Sequence, residues 1–302
     1  MTLFEMKKSL LVLMLLVAAV AAKAEVEFAY DAGAEIVSAY IWRGQYNGGL
    51  SFQPDVEIGF DAADEAISFR GGVWANLGAS DWMFKKEPKN KTLLNEDEEY
   101  TYFMPEVDVV LSFSAYGASV GFNHYYYCDG SNFFSWKTVD ELASEEGNTS
   151  TTEFWFGYNF DHFFGVGAYL NWYTTIAGQD IKEVINTLPG GGLEMYNARA
   201  WSTYIELGYD YTFENIGLTL GAQLGISPWE SPIYGNEKFA VTNISAKINK
   251  EWEFDALTLD LFALGSINPD GINKNNVYIN GCGYDKLYNQ KLNGVIGLGL
   301  WF

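Results

Sequence analysis

Residues 291–302, the last twelve of the chain, alternate regularly between apolar and other side chains. The residues of the apolar face are Leu292, Gly294, Ile296, Leu298, Leu300 and Phe302. A period of two is typical of a β-strand whose two faces meet different surroundings. An apolar strand with an open edge promotes aggregation in water and is excluded from a bilayer. The pattern therefore favours a strand that pairs with the first one and closes a barrel, although a soluble β-protein ending in a core strand would share it.

The same alternation recurs along the chain and predicts the other strands. Their expected positions are Ala34–Gly44 (the end of the first strand), Phe52–Phe60, Ile67–Leu77, Glu106–Phe113, Val120–Tyr127, Phe154–Phe160, Gly165–Ile176, Trp201–Asp210, Leu218–Ile226, Phe239–Phe254, Leu257–Ile267 and Lys291–Phe302. Long and tight connections alternate, as the extracellular loops and periplasmic turns of bacterial outer-membrane barrels do. The sequence therefore predicts an all-β fold, a transmembrane antiparallel up-and-down β-barrel of about 12 strands.

The first residues have the features of an export signal. Lys7 and Lys8 precede an apolar run from Leu10 to Ala22, and the small residues Ala22 and Ala24 follow at the expected spacing. This order is that of a secretory signal peptide, and the run is too short for a permanent membrane helix. We expect residues 1–24 to be a Sec signal peptide and residues 25–302 to form one barrel domain. The expected location is the outer membrane of a Gram-negative bacterium.

Composition supports the barrel and excludes some partners. Aromatic residues make up 17% of the chain and there are 31 glycines, while the mean hydropathy is close to zero. Alternation of lipid-facing apolar and lumen-facing polar residues produces such an average, and aromatic residues anchor both membrane interfaces. The formal net charge of -21 argues against binding to nucleic acid or to anionic lipid surfaces.

The alternation also predicts which charged side chains face the lumen. The expected carboxylates are Asp55, Glu57, Glu106, Asp108, Glu153, Glu206, Asp210 and Asp260, and the expected basic residues are Arg43, Arg70 and Lys247. We expect an acidic lumen in which Arg43 and Arg70 form a constriction and face a carboxylate of the second strand. The alternative is that these charges pair with each other and fill a narrow barrel.

The first strand and the last resemble known outer-membrane sequences. Val37–Gly44, followed by a glycine-rich loop and Gln53-Pro54, resembles the opening of the TorF-like porin family, and the resemblance implies a channel-like barrel. The terminal Trp301-Phe302 resembles the assembly signal of outer-membrane barrels. The implied partners are the barrel-assembly machinery, outer-membrane lipid and lipopolysaccharide.

The predicted function is a channel for small hydrophilic solutes that prefers cations. One alternative is a non-conducting structural or adhesive barrel that acts through its extracellular loops. Another is an interfacial phospholipase-like hydrolase, which would need a histidine in reach of a nucleophile. His162 falls in a predicted turn, and His124, with Ser131 after it, does not fit the spacing of that family. We therefore expect no enzymatic activity.

Metal and disulfide chemistry have few candidate residues. Two histidines and two cysteines far apart in sequence do not suggest a metal site, and no cofactor is expected. Export permits a disulfide between Cys128 and Cys282, since both are predicted to lie in extracellular loops. Two separate thiols would fit the sequence equally well.

Overall fold

The structure of the chain is a computed structural model. It describes residues 26–63, 66–78, 105–128, 133–134, 150–161, 165–178, 180–189, 191–270 and 291–302. The expected signal peptide, His162 and Cys282 lie outside these ranges.

Strands account for nearly all regular structure in the described ranges. They are β1 (Val26–Val37), β2 (Tyr40–Trp42), β3 (Gln45–Gly48), β4 (Ser51–Ala62), β5 (Ile67–Gly78), β6 (Glu106–Ala115), β7 (Ala118–Tyr127), β8 (Thr151–Asn159), β9 (Ala168–Gly178), β10 (Ile181–Thr187), β11 (Leu193–Arg199), β12 (Thr203–Phe213), β13 (Leu218–Ser227), β14 (Ala240–Phe254), β15 (Leu257–Ile267) and β16 (Leu292–Trp301). Over the same residues the one helix is a short 3-10 turn, Glu214–Ile216, and no helix is long and apolar enough to cross a membrane.

Within the described chain, twelve of these strands form a closed antiparallel barrel. Their order around it is β1, β4, β5, β6, β7, β8, β9, β12, β13, β14, β15 and β16. Strand β16 then pairs with β1, from Gly33 opposite Trp301 to Val37 opposite Gly297. This confirms the predicted up-and-down barrel and its closure by the last strand. The bounds of β15 coincide with the predicted Leu257–Ile267.

The two faces of the barrel wall differ as the alternation predicts. On β4, Val56 and Ile58 are more than half exposed on the outside, whereas the inward Gln53 is 7% exposed. On β16, Ile296 lies outside and the neighbouring Val295 is buried inside. Most buried side chains in the interior are polar or charged. A soluble barrel has the opposite arrangement, and an apolar exterior around a polar interior is typical of a transmembrane barrel.

The two ends of the barrel differ in the length of the connections between strands. We call the end with short connections the tight-turn end and the other the long-loop end. At the tight-turn end, Ala63, Tyr116 and Asp255 take positive φ angles of 55, 52 and 41°, as tight hairpin turns require. Both described chain ends, at Val26 and Phe302, lie at this end, and the amide of Phe302 donates to the Ala32 carbonyl at 2.8 Å.

The first strand ends earlier than predicted. Strand β1 stops at Val37 because Ser38 closes the pairing with β16. The Ile296 amide donates to the Ser38 hydroxyl at 2.9 Å, and the Ser38 amide donates to the Ile296 carbonyl at the same distance. The expected continuation to Gly44 is therefore wrong. Residues 40–48 instead form a separate hairpin, β2–β3, where the sequence predicted a strand end and a loop.

The long connection predicted over Ala177–Arg199 also contains structure. Strands β10 and β11 pair from Ile181 opposite Arg199 to Thr187 opposite Leu193, and they form a two-stranded sheet apart from the barrel. The sequence predicted only a loop here and missed the hairpin, because neither strand has a continuous apolar face. Most of their residues are exposed.

We expect the barrel to stay folded in mild detergent at room temperature and to unfold on boiling. Each of the twelve barrel strands is paired on both sides, so no strand can leave without breaking two hydrogen-bonded ladders. Boiled and unboiled samples should therefore migrate differently on a gel. Equal migration of the two samples, with recovery of the chain in a soluble fraction, would contradict a membrane barrel.

Candidate functional site

The β2–β3 hairpin folds into the barrel lumen, where its tip is fixed by a tight turn. Arg43 and Gly44 form the tip with φ angles of 50 and 84°, the pair of positive values that a type I′ turn needs. A Cβ at Gly44 would overlap the Thr242 carbonyl of β14. Only glycine therefore allows this close approach of the hairpin to the wall.

The hairpin contacts strands on several sides of the barrel. The ring of Tyr40 lies 5.4 Å from that of Trp74 on β5, measured between centroids. On another side, the Asn293 amide of β16 donates to the Gly44 carbonyl at 3.3 Å. Ile41 and Tyr46 pack against a cluster of apolar residues on the wall, formed by Val37, Ala39, Phe262 and Val295. The hairpin thus lies across the lumen near the long-loop end and reaches strands on several sides of the wall.

The side chain of Arg43 makes a buried ion pair at the hairpin tip. Its Nη1 and Nη2 donate to Oε1 and Oε2 of Glu153 at 2.7 and 2.8 Å. The Arg43 side chain is 8% exposed and that of Glu153 is 1% exposed. This bidentate geometry is the strongest arrangement of arginine and carboxylate, because two parallel charge-assisted hydrogen bonds form at once.

Two tyrosine hydroxyl groups complete the polar contacts of the pair. Tyr125 of β7 donates to Glu153 Oε2 at 2.8 Å and lies 3.4 Å from Arg43 Nη2. Arg43 Nη1 also donates to the hydroxyl of Tyr234, which is 2% exposed in the connection between β13 and β14. The glutamate therefore keeps a hydrogen-bond donor on the barrel wall besides the arginine.

Aromatic rings surround the guanidinium group. Its Cζ lies 4.0 Å from the ring centroid of Tyr173, 4.5 Å from that of Trp42 and 4.9 Å from that of Tyr204. Each distance is short enough for a cation–π interaction. We call the set of Glu153, Tyr125, Tyr173, Tyr204, Tyr234 and Trp42 the Arg43 cage.

Tyr204 reaches its place because a glycine on the next strand leaves room for the ring. A Cβ at Gly225 of β13 would overlap Tyr204 of β12, and a Cβ at Gly297 of β16 would overlap Phe262 of β15 in the same way. Aromatic rings over strand glycines recur in β-sheets and compensate for the missing side chain. The cage is thus built into the wall.

Two further acidic residues lie beside the cage. Glu106 of β6 is 2% exposed and accepts hydrogen bonds from Tyr40 and Tyr127. Asp108 is 8% exposed and lies opposite Tyr125 in the β6–β7 ladder. Its Oδ1 is buried without a hydrogen-bond partner among the described residues. Several other buried oxygens of the described residues, among them Thr242 Oγ1 and Asp260 Oδ1, share this property, so Asp108 is one of several buried groups with unused hydrogen-bonding capacity.

The loop that carries Tyr234 is held by a polar network outside the barrel strands. The Ser231 hydroxyl donates to that of Ser202 at 2.7 Å, and the Ser202 hydroxyl donates to Asp180 Oδ1 at 2.6 Å. Burial raises the pKa of the Asp180 carboxyl, and the hydrogen bonds from Ser202 oppose that rise. This network fixes the Tyr234 side of the cage.

A second charged region occupies the lumen nearer the tight-turn end. Arg70 of β5 pairs with Asp61 at 2.6 Å and with Glu57 at 3.3 Å, both on β4. Its side chain is 23% exposed and that of Glu57 is 40% exposed, so this part of the lumen is more open. The predicted joint constriction of Arg43 and Arg70 is therefore wrong. Only Arg70 meets carboxylates of the second barrel strand.

The remaining lumen residues lie where the alternation places them. Asp55 faces inward on β4, and Glu206 and Asp210 face inward on β12. Lys247 of β14 lies within electrostatic range of Asp210, Asp260 and Glu35. The first strand also contributes Asp31 and Glu35. Asp31 precedes the part of that strand that the sequence placed, and Glu35 lies within that part but was not assigned to the lumen.

His124 is held by two hydrogen bonds on the outer face of β7. Its Nδ1 lies 2.8 Å from the Thr152 hydroxyl, and its Nε2 lies 2.6 Å from the Phe133 carbonyl. The rings of Phe133 and Phe134 cover it, with centroids 4.9 and 4.5 Å away. The arrangement therefore gives His124 a structural role in fixing the Phe133–Phe134 segment, and Ser131 lies outside the described residues.

Cysteine and metal chemistry add little to this site. Cys128 is exposed directly after β7. Mass spectrometry of a non-reduced digest can decide between the disulfide to Cys282 that export permits and two separate thiols. In the described ranges, no cluster of three or more His, Cys, Asp or Glu side chains is arranged to hold a metal ion.

Solved outer-membrane proteins share a distant likeness with the chain. An outer membrane channel from Pseudomonas putida F1 is 8% identical over 92% of this chain and 94% of its own, with a TM-score of 0.38. OmpF of Salmonella typhi, in complex with daunomycin, is 10% identical over 92% of this chain and 98% of its own, with a TM-score of 0.35. OprB of Pseudomonas putida is 11% identical over 94% of this chain and 95% of its own, with a TM-score of 0.32. No family model matches the chain, and no curated protein matches it significantly.

Proposed function

We propose that the protein is a bacterial outer-membrane channel for small hydrophilic solutes, that it prefers cations, and that the β2–β3 hairpin closes it in the described conformation. The observation that carries this proposal is a polar, mostly acidic lumen inside a barrel with an apolar exterior. The resemblance of Val37–Gly44 to the TorF-like porin family agrees with a channel.

The outer surface supports a place in a lipid bilayer. Phe28, Ile58, Leu207 and Ile296, on four different strands, are all more than half exposed on the outside of the wall. Such a surface in water would cause aggregation, whereas in a bilayer it meets lipid. In this orientation the tight-turn end faces the periplasm, and the barrel-assembly machinery would recognise the end of β16 with Trp301 and Phe302. Outer-membrane lipid and lipopolysaccharide would then surround the wall.

The charge of the lumen supports a preference for cations. The inward carboxylates of the described strands include Asp31, Glu35, Asp55, Glu57, Asp61, Glu106, Asp108, Glu153, Glu206, Asp210 and Asp260. Arg43 and Arg70 are both paired with carboxylates, which leaves Lys247 to balance the rest. A low-dielectric wall concentrates the field of this excess negative charge in the lumen, so cations would be enriched there.

The hairpin is suited to act as a gate because it is not part of the barrel ladder. Its two strands pair only with each other, and side chains and the tip glycine make its contacts with the wall. Its departure would therefore leave all twelve barrel strands paired. The wall contacts of the hairpin, chiefly the ion pair of Arg43 and Glu153, would set how often the lumen opens.

We expect the open channel to pass K⁺ in preference to Cl⁻. A variant in which two glycines replace residues 40–48 should conduct in a planar bilayer far more than the wild type, because the occluding hairpin is gone. Its reversal potential across a salt gradient should show cation preference. This preference should shrink towards 1 M salt, where the screening length falls to about 3 Å.

The matched control for this experiment is the same shortened variant with Asp55→Asn and Glu57→Gln, which should be less selective. A preference for anions would contradict the assigned inner face. Absence of conductance in both the wild type and the shortened variant would instead favour a non-conducting barrel.

One observation favours that second candidate, a structural or adhesive barrel that acts through its loops. Ile185, Leu193 and Met195 of the β10–β11 hairpin are each more than half exposed outside the barrel. Apolar groups on a hairpin apart from the wall could contact a partner. Deletion of this hairpin should then abolish adhesion of bacteria that display the protein and leave its conductance unchanged.

A further inference from the structure

We infer that the lumen holds a recognition site for organic cations that carry a guanidinium group, that Arg43 of the hairpin occupies this site in the described structure, and that such cations open the channel by displacing it. The opening step rests on the proposed channel function. The binding step does not, since it concerns only the cage and its ligand.

The polar part of the cage fits a guanidinium group. Glu153 presents both oxygens to Arg43 at 2.7 and 2.8 Å, and this parallel pair needs a planar donor with two adjacent N–H groups. An ammonium group is a point charge and cannot satisfy both oxygens in the same plane. The site should therefore distinguish guanidinium from ammonium compounds of equal charge.

Most of the cage belongs to the barrel and would remain after the hairpin leaves. Glu153 lies on β8, Tyr125 on β7, Tyr173 on β9 and Tyr204 on β12, whereas Trp42 moves with the hairpin. Tyr173 and Tyr204 keep two aromatic faces for a cation, an arrangement that proteins use to bind cationic ligands. Burial of this kind excludes water and strengthens the interaction.

The carboxylate of Glu153 is oriented by the wall as well as by Arg43. Tyr125 donates to its Oε2 at 2.8 Å, and the Asn123 amide donates to the Tyr125 hydroxyl at 3.1 Å. These three residues lie on the paired strands β7 and β8. The acceptor is thus already placed before a ligand arrives, which reduces the entropy lost on binding.

Asp108 points to a second cationic group on the preferred ligand. Its buried Oδ1 has no partner in the described chain, and it lies beside Tyr125 in the ladder. Asp108 is within electrostatic range of both Arg43 and Glu153. A ligand with a guanidinium group at one end and an ammonium group at the other could supply the missing donor. Agmatine should therefore bind more tightly than methylguanidinium.

Arg43 competes with such a ligand as a tethered group. A short tether gives it an effective concentration on the order of millimolar. Removing the side chain should therefore lower the ligand concentration needed for binding by about tenfold or more. The site is easiest to detect in the Arg43→Ala variant, where it is empty, and harder to detect in the wild type.

The first experiment measures binding without conductance. Purified Arg43→Ala barrel in detergent is heated with methylguanidinium, with agmatine or with methylammonium, and the unfolding temperature is read from the gel shift. We expect saturable stabilisation by methylguanidinium, stronger stabilisation by agmatine and none by methylammonium at the same concentration. The Arg43→Ala/Glu153→Gln variant should not respond, and Asp108→Asn in the Arg43→Ala background should abolish only the advantage of agmatine.

Equal stabilisation by methylammonium and methylguanidinium, or a response that survives Glu153→Gln, would overturn the site. If Arg43→Ala does not accumulate as a folded barrel, the shortened hairpin variant, which also lacks Arg43, serves in its place with the same expectations.

The second experiment tests opening in the wild type. Conductance is recorded in methylguanidinium chloride and in methylammonium chloride at equal ionic strength, and then with added agmatine. Guanidinium compounds should raise the fraction of time that the channel is open several-fold, and methylammonium should not. Equal opening by all three would overturn the displacement. Binding in the first experiment with no conductance in any variant would overturn the proposed channel and the opening step, and would leave the recognition site standing.

Discussion

Replacing Arg43 by alanine should lower the stability of the closed barrel by about 3 to 5 kcal/mol, because a buried carboxylate then loses its partner. Glu153 is 1% exposed and would keep only the hydrogen bonds from two neutral hydroxyl groups, that of Tyr125 at 2.8 Å and that of Tyr234 at 3.5 Å. The loss should be nearer the lower value if the hairpin leaves the lumen, since water then reaches Glu153. Denaturant unfolding of the purified barrel in detergent, followed by fluorescence, measures the difference.

The matched control for Arg43→Ala is the pair Arg43→Met with Glu153→Leu, which removes both charges and keeps much of the volume. Replacement of a whole buried ion pair by apolar groups is often neutral, so this double variant should recover most of the lost stability. A double variant as unstable as Arg43→Ala would show that packing of the hairpin, and not the unpaired carboxylate, dominates.

Replacing Leu207 by arginine should destabilise the barrel by about 2 to 4 kcal/mol if that side chain faces the centre of the bilayer. Leu207 is 51% exposed on the outer face of β12, and a charge there would lose its hydration in lipid. We expect less protein in the outer membrane and easier unfolding of the fraction that assembles. Heat-dependent gel migration of membrane fractions measures both.

Asp210→Arg is the control for this prediction, because Asp210 lies on the same strand and faces the lumen. It introduces the same side chain into a wet environment and should assemble nearly normally. Similar losses of assembled protein in the two variants would contradict the assignment of the two faces. A loss of assembled protein only in Asp210→Arg would mean that the inner and outer faces had been exchanged.

The faces of the barrel strands were predictable because an alternation with a period of two fixes which side chains of a strand share a face. A shift by one residue would turn Val56 and Ile58 into the lumen and Asp55 and Glu57 towards lipid, which no barrel of this kind tolerates. The alternation therefore assigns carboxylates such as Asp55 and Glu206 to the inner face, although Glu35, in the predicted end of the first strand, was not recognised as one of them.

The hairpin was not predictable in the same way. Tyr40, Ile41 and Trp42 continue the alternation of β1, so the pattern gave no sign that the strand had ended at Val37. Arg43-Gly44 lacks the Asn-Gly or Asp-Gly signal of a two-residue turn, and the positive φ of Arg43 is uncommon for a residue with a side chain. The glycines at 44, 48 and 49 were the only available hint.

The cage could not be derived because alternation gives the face of a residue and not its height in the barrel. Glu153 was placed in the lumen, but its pairing with Arg43 across 110 residues of sequence depends on where the hairpin folds. Tyr125 was not recognised as a partner of Arg43 for the same reason, and Tyr234 was missed because it lies in a connection, where alternation gives no information. An inward tyrosine near the end of a strand is common, and only the fold brings these residues to one cation.

The position of the hairpin in the chain also bears on the order in which the protein folds. The hairpin is made early in synthesis, directly after β1, yet Tyr234 of its cage lies 191 residues later. Contacts so distant in sequence form late, because the entropy of closing the intervening loop must be lost first. Strand β16, which anchors Gly44 through Asn293, is the last to be made. Hairpin docking should therefore be the final step of folding, so that each newly assembled barrel passes through an open state before it closes for the first time.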